Sequence, residues 1–338
     1  MGLTPSQPGT ARTLSYQVID ADYSRALDRL VIVSDNPAEL HLIDPRAGSD
    51  TTVQLPLPPT AVSVSPNGMH AAVGHLGNVS DVDLRAARLV QRWPVSTDVL
   101  DLVVSDLGYA YVMPVADQWQ PIRILNLSDG KETTTALNHQ IYAGALVVLR
   151  PTADALYTAD PLTPSSISEH LLLKPDQPTT ERYFPSDNRD VHPPCEQLWL
   201  SEDGQRIFSR CGNVFRAAPA DPQTDMTYYG TLPDLSAVRW AADSSVSHKV
   251  LALPETPDAT YHTFVAAPTD ARLHVYSAQS LALEHTIELP KLDDGRDSGT
   301  ARGLYVFFDA SGTHGVVVER AYKASMPAAT FAIALIPI

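Results

Sequence analysis

Apolar residues along this chain fall in short, often alternating runs separated by small polar clusters, and nowhere recur at helical spacing over a useful length. The stretch RLVIVSDNPAELHLIDPRAG, Arg29 to Gly48, shows the unit: an apolar run, a polar break, a second apolar run ending in Asp44, and a turn. Short runs rich in β-branched residues predict half-buried strands. Two apolar strands flanking an S-x-x-G-like turn recur in Ala61–Gly74, Leu102–Met113 and Leu198–Arg210, more loosely in Val147–Ala159 and Tyr305–Glu319, and weakly in Val238–Leu253. With Val18–Ser34 these make seven units, spaced by roughly forty to fifty residues, the repeat length of four-stranded propeller blades. One longer interval falls near residue 260.

Each unit continues with a third strand, such as Pro121–Leu127 or Arg272–Ser277, and a fourth, such as Thr51–Leu57, Arg88–Val95 or Leu283–Pro290. The pattern predicts an all-β chain: a seven-bladed β-propeller of four-stranded antiparallel blades. The approximate blades are 15–59, 60–98, 99–144, 145–194, 195–236, 237–300 and 301–338, one domain over 15–338. A large β-sandwich is the competing architecture, but it has no reason to repeat one turn at near-equal spacing. The last unit supplies only three strands, around Leu304–Phe308, Gly315–Glu319 and Thr330–Ile336. An uncovered edge there would invite aggregation, so residues 1–14 are expected to add the closing strand. Pro5 and Pro8 are tolerable on an outermost edge.

The block Leu30, Val31, Ile32, Val33, Ser34 followed by Leu40, His41, Leu42, Ile43, Asp44 resembles the repeat of YVTN-type β-propellers. The first block keeps that family's apolar frame without its Tyr, Thr and Asn, and Asp44 gives way to Asn126 in the third unit and Ser277 in the sixth. The resemblance implies the fold and, through members that are periplasmic, secreted or on cell surfaces, an exported location. Related lactonase-type propellers imply that such a scaffold can also host catalysis.

Composition narrows the function. The chain has 338 residues, 44% of them hydrophobic, which supports large cores and excludes disorder. A net charge of -15 and the lack of a Lys/Arg stripe make nucleic acid a poor partner. No run approaches the ~20 apolar residues that span a bilayer. The opening MGLTPSQPGTART lacks the regions of a signal peptide, so the expectation is either a mature extracellular or periplasmic form or a cytosolic protein.

Cys195 and Cys211 bracket the hairpin CEQLWLSEDGQRIFSRC. If Glu202, Asp203 and Gly204 form a three-residue loop, Ser201 faces Gln205 and Cys195 falls opposite Cys211. Directly paired strand residues are close enough for a disulfide. Two separate buried thiols are the competing arrangement, and two Cys without a C-x-x-C pair or a His repeat fall short of a zinc ligand set.

Chemistry in a propeller concentrates where the loops between second and third strands, and between blades, share one face. The former offer Asp35, Asn36, His75, Asn78, Asp117, Trp119, Asp160, Arg320 and Tyr322, and the latter Asp98, His139, Tyr142 and His192. His75 and His192 with a carboxylate could hold a metal or act as acid and base, although no His spacing is that of a metal motif. In LDDGRDSG, Asp293, Asp294 and Asp297 offer the oxygen ligands Ca²⁺ prefers, without EF-hand spacing, so a solvated acidic loop competes. Trp119 lies in a polar loop, where an exposed aromatic can stack on a sugar or anchor a protein. The long insertion Thr256–Ala271 is another place where loops carry function. No G-x-S-x-G elbow and no Gly-rich phosphate loop is present, and no organic cofactor is implied. Two functions follow: a non-catalytic propeller binding a protein or glycan on its loop face, or a metal-dependent, lactonase-like hydrolase with its site at the channel.

Overall fold

The computed structural model describes residues 11–115, 118–136, 140–161, 165–184, 191–255, 271–293, 298–322 and 330–338. These residues form strands and turns, and no helix among them is long and apolar enough to cross a membrane. The insertion 256–270 lies outside them.

After β1 (Ala11–Leu14), the first sheet comprises β2 (Asp20–Ser24), β3 (Arg29–Asp35), β4 (Ala38–Ile43) and β5 (Asp50–Gln54). The second comprises β6 (Ala61–Val64), β7 (His70–His75), β8 (Asn78–Asp83) and β9 (Arg88–Pro94). The third is β10 (Val99–Val104), β11 (Tyr109–Pro114), β13 (Arg123–Asn126) and β14 (Glu132–Thr134), with β12 (Gln120–Pro121) and β15 (Gln140–Ile141) pairing beside it. The fourth is β16 (Leu146–Leu149), β17 (Ala155–Ala159), β18 (Ile167–Leu171) and β19 (Thr179–Tyr183). The fifth is β20 (Leu198–Leu200), β21 (Arg206–Ser209), β22 (Asn213–Arg216) and β23 (Tyr228–Thr231). The sixth is β24 (Val238–Ser244), β25 (Lys249–Pro254), β26 (Arg272–Ser277) and β27 (Leu283–Glu288). The seventh contains β29 (Ser298–Phe308), β30 (His314–Tyr322) and β31 (Phe331–Pro337), with the short β28 (Leu292–Asp293) before them.

Within each sheet consecutive strands pair antiparallel, and the expected seven-bladed β-propeller is the fold. The seventh sheet is completed from the other end of the chain, because β1 pairs antiparallel with β31 from Ala11↔Ala334 to Leu14↔Phe331. Two of its strands run longer than the sequence pattern indicates, β29 beginning at Ser298 and β30 ending at Tyr322. By packing, the chain falls into two compact units: Val18–Ser209 with Phe215–Tyr228, and Met1–Gln17 with Arg210–Val214 and Tyr229–Ile338.

In the larger unit, apolar layers lie between successive sheets. Val31, Val33, Leu40 and Leu42 of the first pack on Val62, Ala71 and Val73 of the second. Ala72 and Val79 of the second pack on Leu102, Val104 and Val112 of the third. Each fully buried aliphatic side chain contributes about 1.5–3 kcal/mol. In the smaller unit Leu251, Leu253 and Val275 do the same against Val306, Phe308 and Val317.

The repeated turn explains its own residues. Gly68 N–H donates to Ser65 O, and the same bond recurs from Gly108 to Ser105, Gly204 to Ser201 and Gly312 to Asp309. At Gly68 the backbone is left-handed, with φ +73°, which favours glycine. A Cβ there would also sit 2.9 Å from both Ala26 Cβ and Ser24 Oγ, because the turn of the first sheet packs against that of the second.

Cys195 and Cys211 are disulfide-bonded. The register differs from the expected one, however. Leu200 pairs with Ile207, and Ser201 N–H donates to Arg206 O, so the loop has one residue more than the three predicted. The hydroxyl of Ser201 causes this, donating to Asp203 Oδ1 and accepting the N–H groups of Gln205 and Arg206. Cys195 and Glu196 then take left-handed φ values of 46° and 43°, outside the strand. The bridge therefore joins the segment before β20 to the β21–β22 turn and is not a directly opposed strand pair.

Candidate functional site

Each sheet has strands A to D from the innermost outward, and its B–C loop and the sheet-to-sheet loops share one end, the B–C end. At that end of the third sheet, β11 stops at Pro114 and the chain makes a loop anchored on three sides. Val115 N–H donates to Asp98 O at 3.2 Å, Gly144 N–H donates to Pro114 O, and β12 pairs with β15 through Gln120↔Ile141. Trp119 takes φ 59° at the apex. Its ring meets that of Tyr142 edge-on, with centroids 5.7 Å apart and planes at 85°, and Gln118 Nε2 donates to the Tyr142 hydroxyl at 2.8 Å. The indole is nevertheless 55% exposed, Val115 is 47% exposed, and Leu76 in the neighbouring B–C turn is 64% exposed. An aromatic held rigidly yet left in water has the makings of a contact surface.

The other predicted residues are distributed unevenly. Asp35, Asn36 and Asp98 are exposed at the same end of their sheets. Asn78 is half-buried and donates to Leu76 O. Asp160 closes its own loop by accepting Ser166 N–H. His192 lies flat on Tyr228 of β23, the outermost strand of the fifth sheet, with centroids 3.6 Å apart, and so is not at the inner strands. The Arg320 guanidinium covers the Phe331 ring. Asp117, His139, Asp294 and Asp297 lie outside the described residues; of Asp293 and Tyr322 only the backbone is described, paired with Ser298 and Thr300.

His75 is fully buried, its Nδ1 3.0 Å from Pro58 O and its Nε2 2.9 Å from Ser80 Oγ. Burial pushes its pKa down, against the Pro58 carbonyl, which raises it. The same hydroxyl–imidazole pairing between B and C strands recurs as Ser34 with His41 and Thr158 with His170. In the first sheet His41 Nδ1 also meets Asp50 Oδ2 at 3.1 Å, so Ser34, His41 and Asp50 have the connectivity of a catalytic triad. Ser34 is fully buried, however, and its hydroxyl donates to Pro37 O at 2.7 Å. That proton is not offered to the imidazole, as nucleophilic attack requires. Recurrence in three sheets marks these pairs as ties between strands.

A second arrangement escaped sequence reasoning. On the innermost strands, Asp20 Oδ2 accepts Val62 N–H, Asp22 Oδ2 accepts Val64 N–H, and Asp101 Oδ2 accepts Val147 N–H, at 2.7–2.9 Å. Their other oxygens accept the N–H of the following residue. Burial raises the carboxyls to about 7, 6 and 6 respectively, despite these bonds, and Asp101 repels Asp20. The cluster is acidic but its oxygens are occupied by backbone donors. Among the described residues no group of three or more His, Cys, Asp or Glu is arranged to hold a metal.

Two arginine clusters were also missed. Glu255, after β25, is buried with Arg210 at 2.9 Å and Arg239 and Arg302 at 3.6 and 3.5 Å. Between the fourth and fifth sheets, Arg182 lies 3.2 Å from Glu169 and 3.5 Å from Asp225, and Asp225 accepts the Tyr157 hydroxyl. These partners lie far apart in sequence, and only the odd charged residue in an apolar strand signals them.

No family model and no curated protein matches the chain. Among solved structures it is similar to the β-propeller domain of Cps50 (Swd1) from Myceliophteria thermophila, with 13% identity, 96% of this chain and 99% of that chain covered, and a TM-score of 0.65. At that identity the likeness shows the propeller fold and nothing of its activity.

Proposed function

We propose that this chain is a non-catalytic binding propeller that holds a protein or glycan at the B–C end of its sheets. The observation that carries the reading is Trp119: locked by Tyr142 and the β12–β15 ladder, yet 55% exposed. Val115 and Leu76 are exposed at the same end, and aromatic anchors such as Trp119 dominate binding energy in protein interfaces. The first-sheet block Leu30–Asp44 supports a YVTN-type repeat as the finer relationship. The Cys195–Cys211 bridge supports an extracellular or periplasmic location, since disulfides persist outside reducing compartments.

Against a hydrolase, the innermost carboxylates already accept backbone N–H groups, and Ser34 is sealed from substrate. The test is to probe peptide and glycan arrays with the full chain and with Trp119→Ala. Ligands bound by the wild type and lost by the variant support the reading. Binding indifferent to Trp119, or metal-dependent lactone hydrolysis, would overturn it.

A further inference from the structure

The loops at the two ends of the first three sheets differ in charge. Among the described residues, the loops at the B–C end are 35–38, 55–60, 76–77, 95–98, 115, 118–119, 135–136 and 140–145, and they contain Asp35 and Asp98 but no Lys or Arg. At the other end, residues 25–28, 44–49, 65–69, 84–87, 105–108 and 127–131 carry Arg25, Arg46, Arg85 and Lys131 balanced by Asp28, Asp44, Asp106 and Asp129. Arg92, whose charge is felt at His75, sits on the outermost strand of the second sheet. Arg123, at the start of β13, is engaged by Glu132 at 3.7 Å and by the Pro121 carbonyl. The exposed indole thus lies at an end whose loops are acidic and apolar, on a chain whose net charge is -15.

Resting on the binding reading above, we infer that the occupant of this surface is a basic segment of a protein partner, with apolar residues between its Lys or Arg side chains. The geometry suits it in two ways. Trp119 and Tyr142 meet at 85°, forming an aromatic corner, and an indole face attracts a Lys or Arg cation. The Asp98 backbone accepts the Val115 N–H, so the exposed Asp98 and the exposed Val115 are neighbours at this end. Opposed charges of this kind steer association and fix register. A neutral glycan would use the indole but draw nothing from the absence of cations.

The test measures fluorescence anisotropy of three labelled probes with the full chain: an alternating lysine–leucine decapeptide, its glutamate–leucine counterpart, and a neutral hexasaccharide. The lysine probe is expected to bind in a salt-dependent manner. Trp119→Ala should weaken it about tenfold or more, and Asp98→Asn about threefold with a flatter salt dependence. Leu107→Ala, an exposed residue at the other end of the third sheet, should change nothing. Melting curves confirm that the variants fold. Equal binding of the glutamate probe, or no binding of the lysine probe, overturns the inference. If only the hexasaccharide binds, and needs Trp119, the basic partner is wrong while the binding surface stands. If no probe depends on Trp119, both fall.

Discussion

The carboxylate of Asp101, on the innermost strand of the third sheet, accepts the backbone N–H of Val147, on the innermost strand of the fourth, at 2.9 Å. Asp20 and Asp22 do the same from the first sheet to Val62 and Val64 of the second. An innermost strand pairs on one side only, so its other edge exposes N–H donors that need acceptors. These side chains supply them, and Ser63 supplies one for Val104 N–H.

That solution has a pH signature. Burial raises Asp20 to about 7 and Asp22 and Asp101 to about 6, above the ordinary value of 3.8. Between those limits the folded chain binds more protons than the unfolded one, so stability falls as pH rises. Denaturant melts from pH 4 to 8 should show a decline on the order of 3 kcal/mol per group, with the slope reduced in Asp101→Asn. A stability that climbs over this range would contradict the assignment.

Glu319 on β30 is a sharper case. It is fully buried opposite Gly303 and Ala332, neither oxygen has a hydrogen-bond partner among the described residues, and burial raises its carboxyl to about 8. Replacing an unsatisfied buried polar group by an apolar one of similar shape is stabilising. Glu319→Met should therefore gain about 1–3 kcal/mol at pH 8 and lose the pH dependence between 5 and 9. A destabilised variant would show that the carboxylate does work in the fold.

How far the sequence foretells this architecture depends on the spacing of the cause. The Ser65–Gly68 turn is legible because a left-handed backbone and a crowded neighbour favour glycine at Gly68, Gly204 and Gly312. The Cys register is not, because a single hydroxyl, Ser201, lengthens the loop by one residue and two left-handed residues take up the difference. Trp119 is recognisable as a loop aromatic, but its partner Tyr142 is brought to it only by the β12–β15 ladder. The Asp20–Val62 and Asp101–Val147 ties join residues more than forty positions apart. Their only trace is an acidic residue within an apolar innermost strand, as in DADYS and LDLVV.

Closure predicts the effect of truncation. Removing residues 1–14 uncovers β31, where Ala332 and Ala334 now pair with Thr13 and Ala11. The truncated chain should melt lower by the equivalent of a few kcal/mol and aggregate with concentration. An unchanged melting temperature and a monomeric profile would contradict closure by β1.

The disulfide predicts a stability loss on reduction. Joining Cys195 to Cys211 closes a short loop, for which chain entropy gives about 3 kcal/mol. Cys195→Ser with Cys211→Ser should lower stability by about that amount. Thiol titration of the denatured, unreduced chain should find no free thiol; two would refute the bridge.

The claim that the B–C end of the first three sheets is where a ligand lands is tested most directly by hydrogen–deuterium exchange. The full chain is compared with and without the tightest ligand found on the arrays. Ligand binding should slow exchange in the segments 114–121 and 140–145 around Trp119 and Tyr142. Protection confined to the opposite turns, 105–108 and 127–131, would contradict it.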